Sequence, residues 1–159
     1  MTPEIAPRAT PVTPLVDRVD LLTFRVGSEE FCVEVIQVRE IRVWARPTPL
    51  PNAPAALSGV INLRGIVLPV VDLASLLGLA SAESGARAVI IVVELNGRTA
   101  GLTARSVQDI VTLPRRDIGP PPAISADAAP CLSGLALHEG RFLRILDLAA
   151  LLPGPQGAL

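Results

Sequence analysis

The sequence predicts an all-β protein made of two small five-stranded β-barrels that are related by an internal duplication. Three observations lead to this fold class. Short apolar segments rich in β-branched residues alternate with tight turns, no segment favours a long helix, and the second half of the chain repeats the order of the first. With 159 residues, the chain can bury a core without help from a metal or a disulfide.

The two halves align without gaps over their clearest stretch. Residues 59–78, GVINLRGIVLPVVDLASLLG, match residues 134–153, GLALHEGRFLRILDLAALLP, and residues 31–41 match residues 100–110 more weakly but in the same order. A repeat of this kind predicts two copies of one structural unit. Identical residues stand at Gly59/Gly134, Gly65/Gly140, Leu68/Leu143, Asp72/Asp147, Leu73/Leu148, Ala74/Ala149, Leu76/Leu151 and Leu77/Leu152, with Val38/Val107 and Ile41/Ile110 in the weaker match.

The first copy covers about residues 20–80. The β-rich segments DLLTFRV and EEFCVEVIQV join through a turn at Gly27-Ser28-Glu29, and REIRVW continues as a strand. The proline-rich ARPTPLPNAPAAL is a connection, after which two strands flank Asn62-Leu63-Arg64-Gly65. A short helix ends the copy, with Asp72 as its N-cap and Gly78 after its last turn.

The second copy covers about residues 86–152 and follows the same plan. AVIIVVEL and RTAGLTA flank the hairpin turn Asn96-Gly97, and SVQDIVTL is a further strand. After the proline-rich PRRDIGPPPAISADAAP, two strands flank His138-Glu139-Gly140, and a helix capped by Asp147 ends the copy.

These copies form a single domain over residues 18–152, because each one alone is too small for a large core and the two need a shared apolar interface. Individual strands are free to cross between the barrels. Residues 1–17 carry repeated prolines and are expected to be an extended, mobile tail, and residues 153–159 are expected to be a C-terminal tail.

The composition excludes several classes of protein. The chain has 14 basic and 15 acidic residues and 3% aromatic residues, which argues against nucleic-acid binding. No apolar run reaches the length of a membrane span, and the N-terminus lacks the pattern of a secretory signal, so a cytoplasmic protein without direct membrane insertion is expected. Cys32 and Cys131 are expected to be free, half-buried thiols.

No motif for an enzyme, a cofactor or a metal is found. His138 is the single histidine, no Cys/His cluster has zinc spacing, and GVINLRG lacks the G-K-[ST] ending of a phosphate-binding loop. Asp72 and Asp147 form a conceivable carboxylate pair, but their positions favour two helix N-caps. The chain is therefore expected to be a non-enzymatic protein without a cofactor.

Arg64 is the residue that the duplication does not explain. Gly65 and Gly140 recur where a hairpin turn needs a left-handed backbone. Arg64 does not recur, because the aligned residue in the second copy is Glu139. The turn therefore does not require a cation, and Arg64 is either an ordinary exposed charge or a contact residue.

Several segments together resemble the CheW-like family of chemotaxis coupling proteins. They are FRVGSEEFCVEVIQVREI, RFLRILDLAALL and the central pattern GVxNLRGxxxPxVDL, which is intact at residues 59–73. Val38-Arg39-Glu40-Ile41 and the turn Gly97-Arg98 also fit the family pattern. The resemblance covers roughly residues 20–152 and implies two SH3-like barrels and no enzymatic activity. It also implies that the chain joins chemoreceptor cytoplasmic tips to the regulatory domain of a CheA-type histidine kinase, with assembly into rings with the kinase or other CheW-like domains.

The resemblance also implies roles for particular residues. The receptor-binding surface would include Val38, Glu40 and Arg64. The kinase-binding surface would lie along Trp44 to Leu50 in the first copy, where an exposed Trp44 would be an interface anchor, although Trp44 could equally cap the barrel. Contacts of the second copy would come from Ile118 to Ile124, where the segment GPPPAI lacks the basic and aromatic residues that are common in the family.

Two alternatives are consistent with the same sequence. One is a double barrel that binds a small ligand in the groove between the barrels, although converging polar groups are lacking there. The other is a CheW paralogue in a non-flagellar pathway that controls motility or development.

Overall fold

The computed structural model describes residues 17–79, 87–121 and 131–152, which form ten strands and two short helices. The tails expected at residues 1–17 and 153–159 lie outside this part of the chain, apart from Asp17. The strands are β1 (Arg18–Val26), β2 (Glu29–Glu34), β3 (Val38–Val43), β4 (Leu57–Leu63), β5 (Ile66–Val71), β6 (Val89–Leu95), β7 (Arg98–Ala104), β8 (Ser106–Pro114), β9 (Leu132–His138) and β10 (Arg141–Leu146), and the helices are α1 (Leu73–Leu76) and α2 (Leu148–Leu151).

The strands form two five-stranded sheets, and each sheet mixes strands from both copies. Sheet A has the order β8-β1-β2-β10-β9, and sheet B has the order β3-β6-β7-β5-β4. When each strand is replaced by its counterpart in the other copy, one order becomes the other. The all-β, double-barrel fold is confirmed, and the boundary between the copies is not a boundary between the barrels.

The strand register follows the duplication as well. Ile145 pairs with Cys32 in the parallel contact of sheet A, and their counterparts Val70 and Gly101 pair in sheet B. The repeat therefore extends to the hydrogen bonds that join the two copies.

A short 3-10 helix at Val35–Gln37 corrects one expectation. The segment EEFCVEVIQV was predicted to be one strand, but β2 ends at Glu34 in sheet A and β3 begins at Val38 in sheet B. The β-branched side chains of this segment favour a strand locally. The chain nevertheless leaves sheet A here, because the next strand, β3, pairs with β6 in sheet B.

The core has three parts. The largest lies between the two sheets and includes residues of β1, β2, β6, β7 and both helices. A smaller cluster fills each barrel. The cluster of sheet A consists of Val19, Leu21, Cys32, Val111, Leu113, Ala136, Leu143 and Ile145, and that of sheet B consists of Leu63, Leu68, Ile90 and Val92. The predicted apolar interface between the barrels is thus filled with packed side chains.

Recurring residues have structural roles. The Asp72 side chain accepts a hydrogen bond from the Ser75 backbone N–H, and the Asp147 side chain accepts one from Ala149, so both are N-caps as expected. Gly59 recurs because a side chain does not fit: a Cβ there would lie 2.2 Å from the backbone oxygen of Thr48. A Cβ at its counterpart Gly134 would also clash with a neighbouring segment.

Both cysteines are free thiols, as predicted; Cys32 is buried and Cys131 is half-buried. Among the described residues, no helix is long and apolar enough to cross a membrane.

Candidate functional site

Arg64 and Glu40 form an ion pair that links the two edges of sheet B. Glu40 lies on the edge strand β3, and Arg64 lies in the turn that follows the other edge strand, β4. The Arg64 Nη2 atom is 2.5 Å from Glu40 Oε1. The Arg64 side chain is 69% exposed and that of Glu40 is 28% exposed, so the pair lies at the surface and keeps part of the guanidinium accessible.

A second arginine shares the same carboxylate. Arg42, two residues further along β3, places Nη1 3.1 Å from Glu40 Oε2. The hydrogen bond from Arg64, followed by that from Arg42, lowers the pKa of the Glu40 carboxyl from its ordinary value. Glu40 is therefore ionised at neutral pH, and the contact weakens as the pH falls through its lowered pKa.

The backbone of Arg64 is itself unusual. Arg64 has a φ of 52° and Gly65 a φ of 85°, which gives the two-residue turn positive φ at both positions. The Asn62 side chain accepts a hydrogen bond of 2.8 Å from the Gly65 N–H and closes the turn. Such turns favour Asn, Asp or Gly at the first position, so local backbone preference does not account for an arginine there.

Val38 lies on the same strand but is partly buried, where it packs against the core between the barrels. The structure thus brings Val38, Glu40 and Arg64 onto one edge of the molecule, with Glu40 and Arg64 in direct contact. Apolar side chains that the sequence analysis did not single out are exposed on β3 and on the β4–β5 hairpin: Ile41, Val43, Ile66 and Val67.

The corresponding place in sheet A is built differently. Asp109, the counterpart of Glu40, is hydrogen-bonded to Thr23 and lies 3.8 Å from Arg141. Arg141 is also 3.6 Å from Glu30, and one buried polar atom of each of these two residues has no hydrogen-bond partner. Both barrels thus have an acidic residue at this position with an arginine beside it, but the side chain of Arg141 in sheet A is less exposed than that of Arg64 in sheet B.

The predicted kinase-binding residues lie on different barrels. Two roles were left open for Trp44, an exposed interface anchor and a cap of the barrel. Trp44 is partly buried and packs against the sheet B cluster, which is the position of a cap, and part of its side chain stays at the surface. Leu50 is exposed, whereas Ile118 is partly buried against the sheet A cluster. Ile124 lies outside the described residues.

The two kinase-binding segments have equivalent positions. Thr48 pairs with Val60 of β4, and Gly119 pairs with Leu135 of β9, which is the counterpart of Val60. The residues from Trp44 to Leu50 and those around Ile118 therefore belong to two related surfaces, one on each sheet, and not to a single patch.

The described residues offer no group of His, Cys, Asp or Glu side chains that could hold a metal. An open groove of about 270 Å³ lies beside the 3-10 helix. It is lined by Arg18, Val19, Asp20, Glu34, Val35, Ile36 and Arg115.

The family model of the CheW-like domain matches residues 20–156. The chain belongs to the CheW-like family. The structure of this CheW-like chain agrees with that of the "scaffolding protein TtCheW" from Thermoanaerobacter tengcongensis, with a TM-score of 0.76 at 26% identity. The similarity covers 81% of this chain and 88% of that one.

Curated relatives of this CheW-like chain have related names. The "Chemotaxis protein CheW" of Rhizobium meliloti is 45% identical over 86% of this chain and 89% of the relative. The "Protein FrzA" of Myxococcus xanthus is 33% identical over 84% of each chain. These relatives and the scaffolding structure identify the chain as a scaffold or adaptor protein of the chemotaxis type.

Arg42 is the site residue that sequence reasoning missed. Its counterpart in the other copy is Val111, so the comparison of the two halves contained a signal: like Arg64, Arg42 is a cation in only one copy. Because alternate residues of a strand share a face, the spacing of Glu40 and Arg42 also placed them side by side.

Proposed function

We propose that the chain is a non-enzymatic adaptor that couples chemoreceptor cytoplasmic tips to the regulatory domain of a CheA-type histidine kinase. It would act in the cytoplasm, at receptor arrays on the membrane. Membership of the CheW-like family supports the adaptor role, and the Glu40–Arg64 pair supports the place of the receptor contact. The main observation in favour of this proposal is that Arg64, a residue that its turn does not require, is exposed and ion-paired with Glu40.

The receptor contact would use the edge formed by β3 and the β4–β5 hairpin. Exposed apolar side chains there would lose their contact with water on binding, which favours association. The Arg64 guanidinium would fix the orientation of the partner, because its N–H groups donate hydrogen bonds in a fixed geometry. Kinase contacts would use Leu50 and its neighbours on one barrel and Ile118 on the other. Two equivalent surfaces on two barrels suit a ring in which each adaptor meets two homologous barrels.

The test is direct binding of the two partners. Isothermal titration with the cognate kinase regulatory domain, in the presence of a chelator, is expected to give micromolar affinity, about −8 kcal/mol. A mixture of receptor fragment, kinase and adaptor is expected to show adaptor-dependent kinase activation. No binding to any kinase encoded in the same genome would contradict the coupling role.

A second candidate is the same adaptor role in a non-flagellar pathway. The similarity to FrzA, which is not named as a chemotaxis protein, favours keeping this alternative. Binding to the kinases of the same genome distinguishes the two, because the preferred kinase identifies the pathway. The ligand-binding alternative loses support, because the region between the barrels is filled by buried side chains.

A further inference from the structure

The cluster of Arg42, Glu40 and Arg64 has both oxygens of its one carboxylate occupied. Oε1 of Glu40 meets Arg64 and Oε2 meets Arg42, at 2.5 and 3.1 Å. An approaching partner therefore does not find a free anion at Glu40. Two arginines and one glutamate leave the cluster with a net positive charge, carried by guanidinium groups with further N–H donors.

The two arginines differ in how they are held. Arg64 is on a turn and is 69% exposed, whereas Arg42 is on a strand and is 41% exposed. Arg42 is thus the less exposed partner of Glu40 and lies on a strand that is hydrogen-bonded to its neighbour, whereas Arg64 meets the other oxygen of the same carboxylate. Removing Arg42 would free one oxygen of Glu40 and loosen the position of the guanidinium that a partner meets.

The second barrel shows that the fold does not need this arrangement. The counterpart of Arg42 is Val111, which is buried, and the counterpart of Arg64 is Glu139. The acidic residue alone recurs, as Asp109. Both barrels expose apolar side chains, Ile66 and Val67 on sheet B and Ile110, Leu137 and Phe142 on sheet A. The two arginines are therefore what distinguishes the sheet B surface.

We infer that Arg42 is a positioning residue of the receptor surface and that the partner meets the cluster with an acidic side chain amid apolar ones. This inference rests on the proposed function for the identity of the partner. A carboxylate suits the cluster because a planar guanidinium donates to it with two parallel N–H groups. A basic partner side chain would be repelled by the net charge and would find Glu40 already paired.

The test uses Arg42→Gln and Arg42→Lys in the full chain, with Arg39→Gln as matched control. Arg39 lies on the same strand, is exposed, and pairs with Glu94 instead of Glu40. The first measurement needs no partner: NMR titration of the Glu40 carboxyl. Its pKa is expected to rise towards the ordinary value in Arg42→Gln, to move less in Arg42→Lys, and to stay unchanged in Arg39→Gln. An unchanged Glu40 pKa in Arg42→Gln would refute the positioning role.

The second measurement is affinity for a soluble chemoreceptor tip fragment at several salt concentrations. Arg42→Gln is expected to bind roughly fivefold more weakly and to lose part of the salt dependence, because one screened attraction is gone. Arg42→Lys should restore the salt dependence and part of the affinity. If the wild type binds and Arg42→Gln binds equally well, the inference is refuted while the proposed function stands; a wild type that binds no receptor fragment refutes the proposed function itself.

Discussion

Arg64 and Glu139 occupy the same turn position in the two copies, and both have a left-handed backbone, with φ of 52° and 50°. The following glycines, Gly65 and Gly140, also have positive φ, at 85° and 79°. One backbone geometry thus carries a cation in sheet B and an anion in sheet A. The turn conformation is therefore a property of the duplicated fold, and it does not determine the charge of the side chain at this position.

Gly59→Ala is expected to damage the fold severely. Its φ of 147° resists a side chain, and a Cβ would lie 2.2 Å from the Thr48 backbone oxygen, where only movement of the main chain gives relief. We expect a loss of more than about 2 kcal/mol in the free energy of unfolding, measured by urea denaturation.

Gly65→Ala is the matched control for this substitution. Gly65 also has positive φ, but a Cβ there meets nothing within 4 Å. Its loss is expected to be about 1 kcal/mol, the ordinary difference for a left-handed position. Equal losses at the two positions would mean that the approach of Thr48 does not matter.

Trp44→Ala is expected to lower stability as well as kinase affinity. Because the indole packs partly against the sheet B cluster, its removal should cost about 1–3 kcal/mol of unfolding free energy. Leu50→Ala separates the two effects, since Leu50 is exposed in the same segment and should weaken kinase binding at unchanged melting temperature. Full kinase affinity in Leu50→Ala would contradict a kinase surface there.

Cys32 is expected to resist alkylation in the native protein. Burial, followed by the charge of Glu30, raises the pKa of its thiol to about 12, so almost no thiolate exists at pH 8. The unfolded thiol ionises near pH 8.5, so this group favours unfolding increasingly as the pH rises from there towards 12.

Mass spectrometry after iodoacetamide treatment measures this difference. Cys131, which is only half-buried, should react first, and Cys32 should react only when urea is added. Rapid labelling of Cys32 without denaturant would contradict its burial.

The sequence predicted the elements that depend on neighbouring residues. The Asn96-Gly97 turn and the Asp72 and Asp147 caps are local, because a side chain or a φ value acts within a few residues. The equivalence of the two copies was also readable, because repeated glycines mark places where backbone or side chains from another segment come close, as at Gly59.

Which strands cross from one barrel to the other could not be predicted from the sequence. Val35–Gln37 has the composition of a strand, and no local preference states which sheet the next strand joins. The choice between anchor and cap for Trp44 was left open for the same reason, since the residues that partly bury it come from β4, β5 and β6. Within the candidate site, the sequence and the family resemblance identified Glu40 and Arg64, but the sharing of one carboxylate by two arginines needed the structure.

The central claim is that Arg64 is a contact residue and not a structural one. The most direct measurement is a pair of assays on Arg64→Ala: melting temperature and receptor-dependent kinase activation. Glu139→Ala is the matched control, because it has the same turn position and backbone in the other barrel. Since exposed ion pairs contribute little to stability, both variants should melt within about 3 °C of the wild type. Activation should fall sharply in Arg64→Ala alone. Unchanged activation in Arg64→Ala, or a joint loss of activation and melting temperature, would contradict the claim.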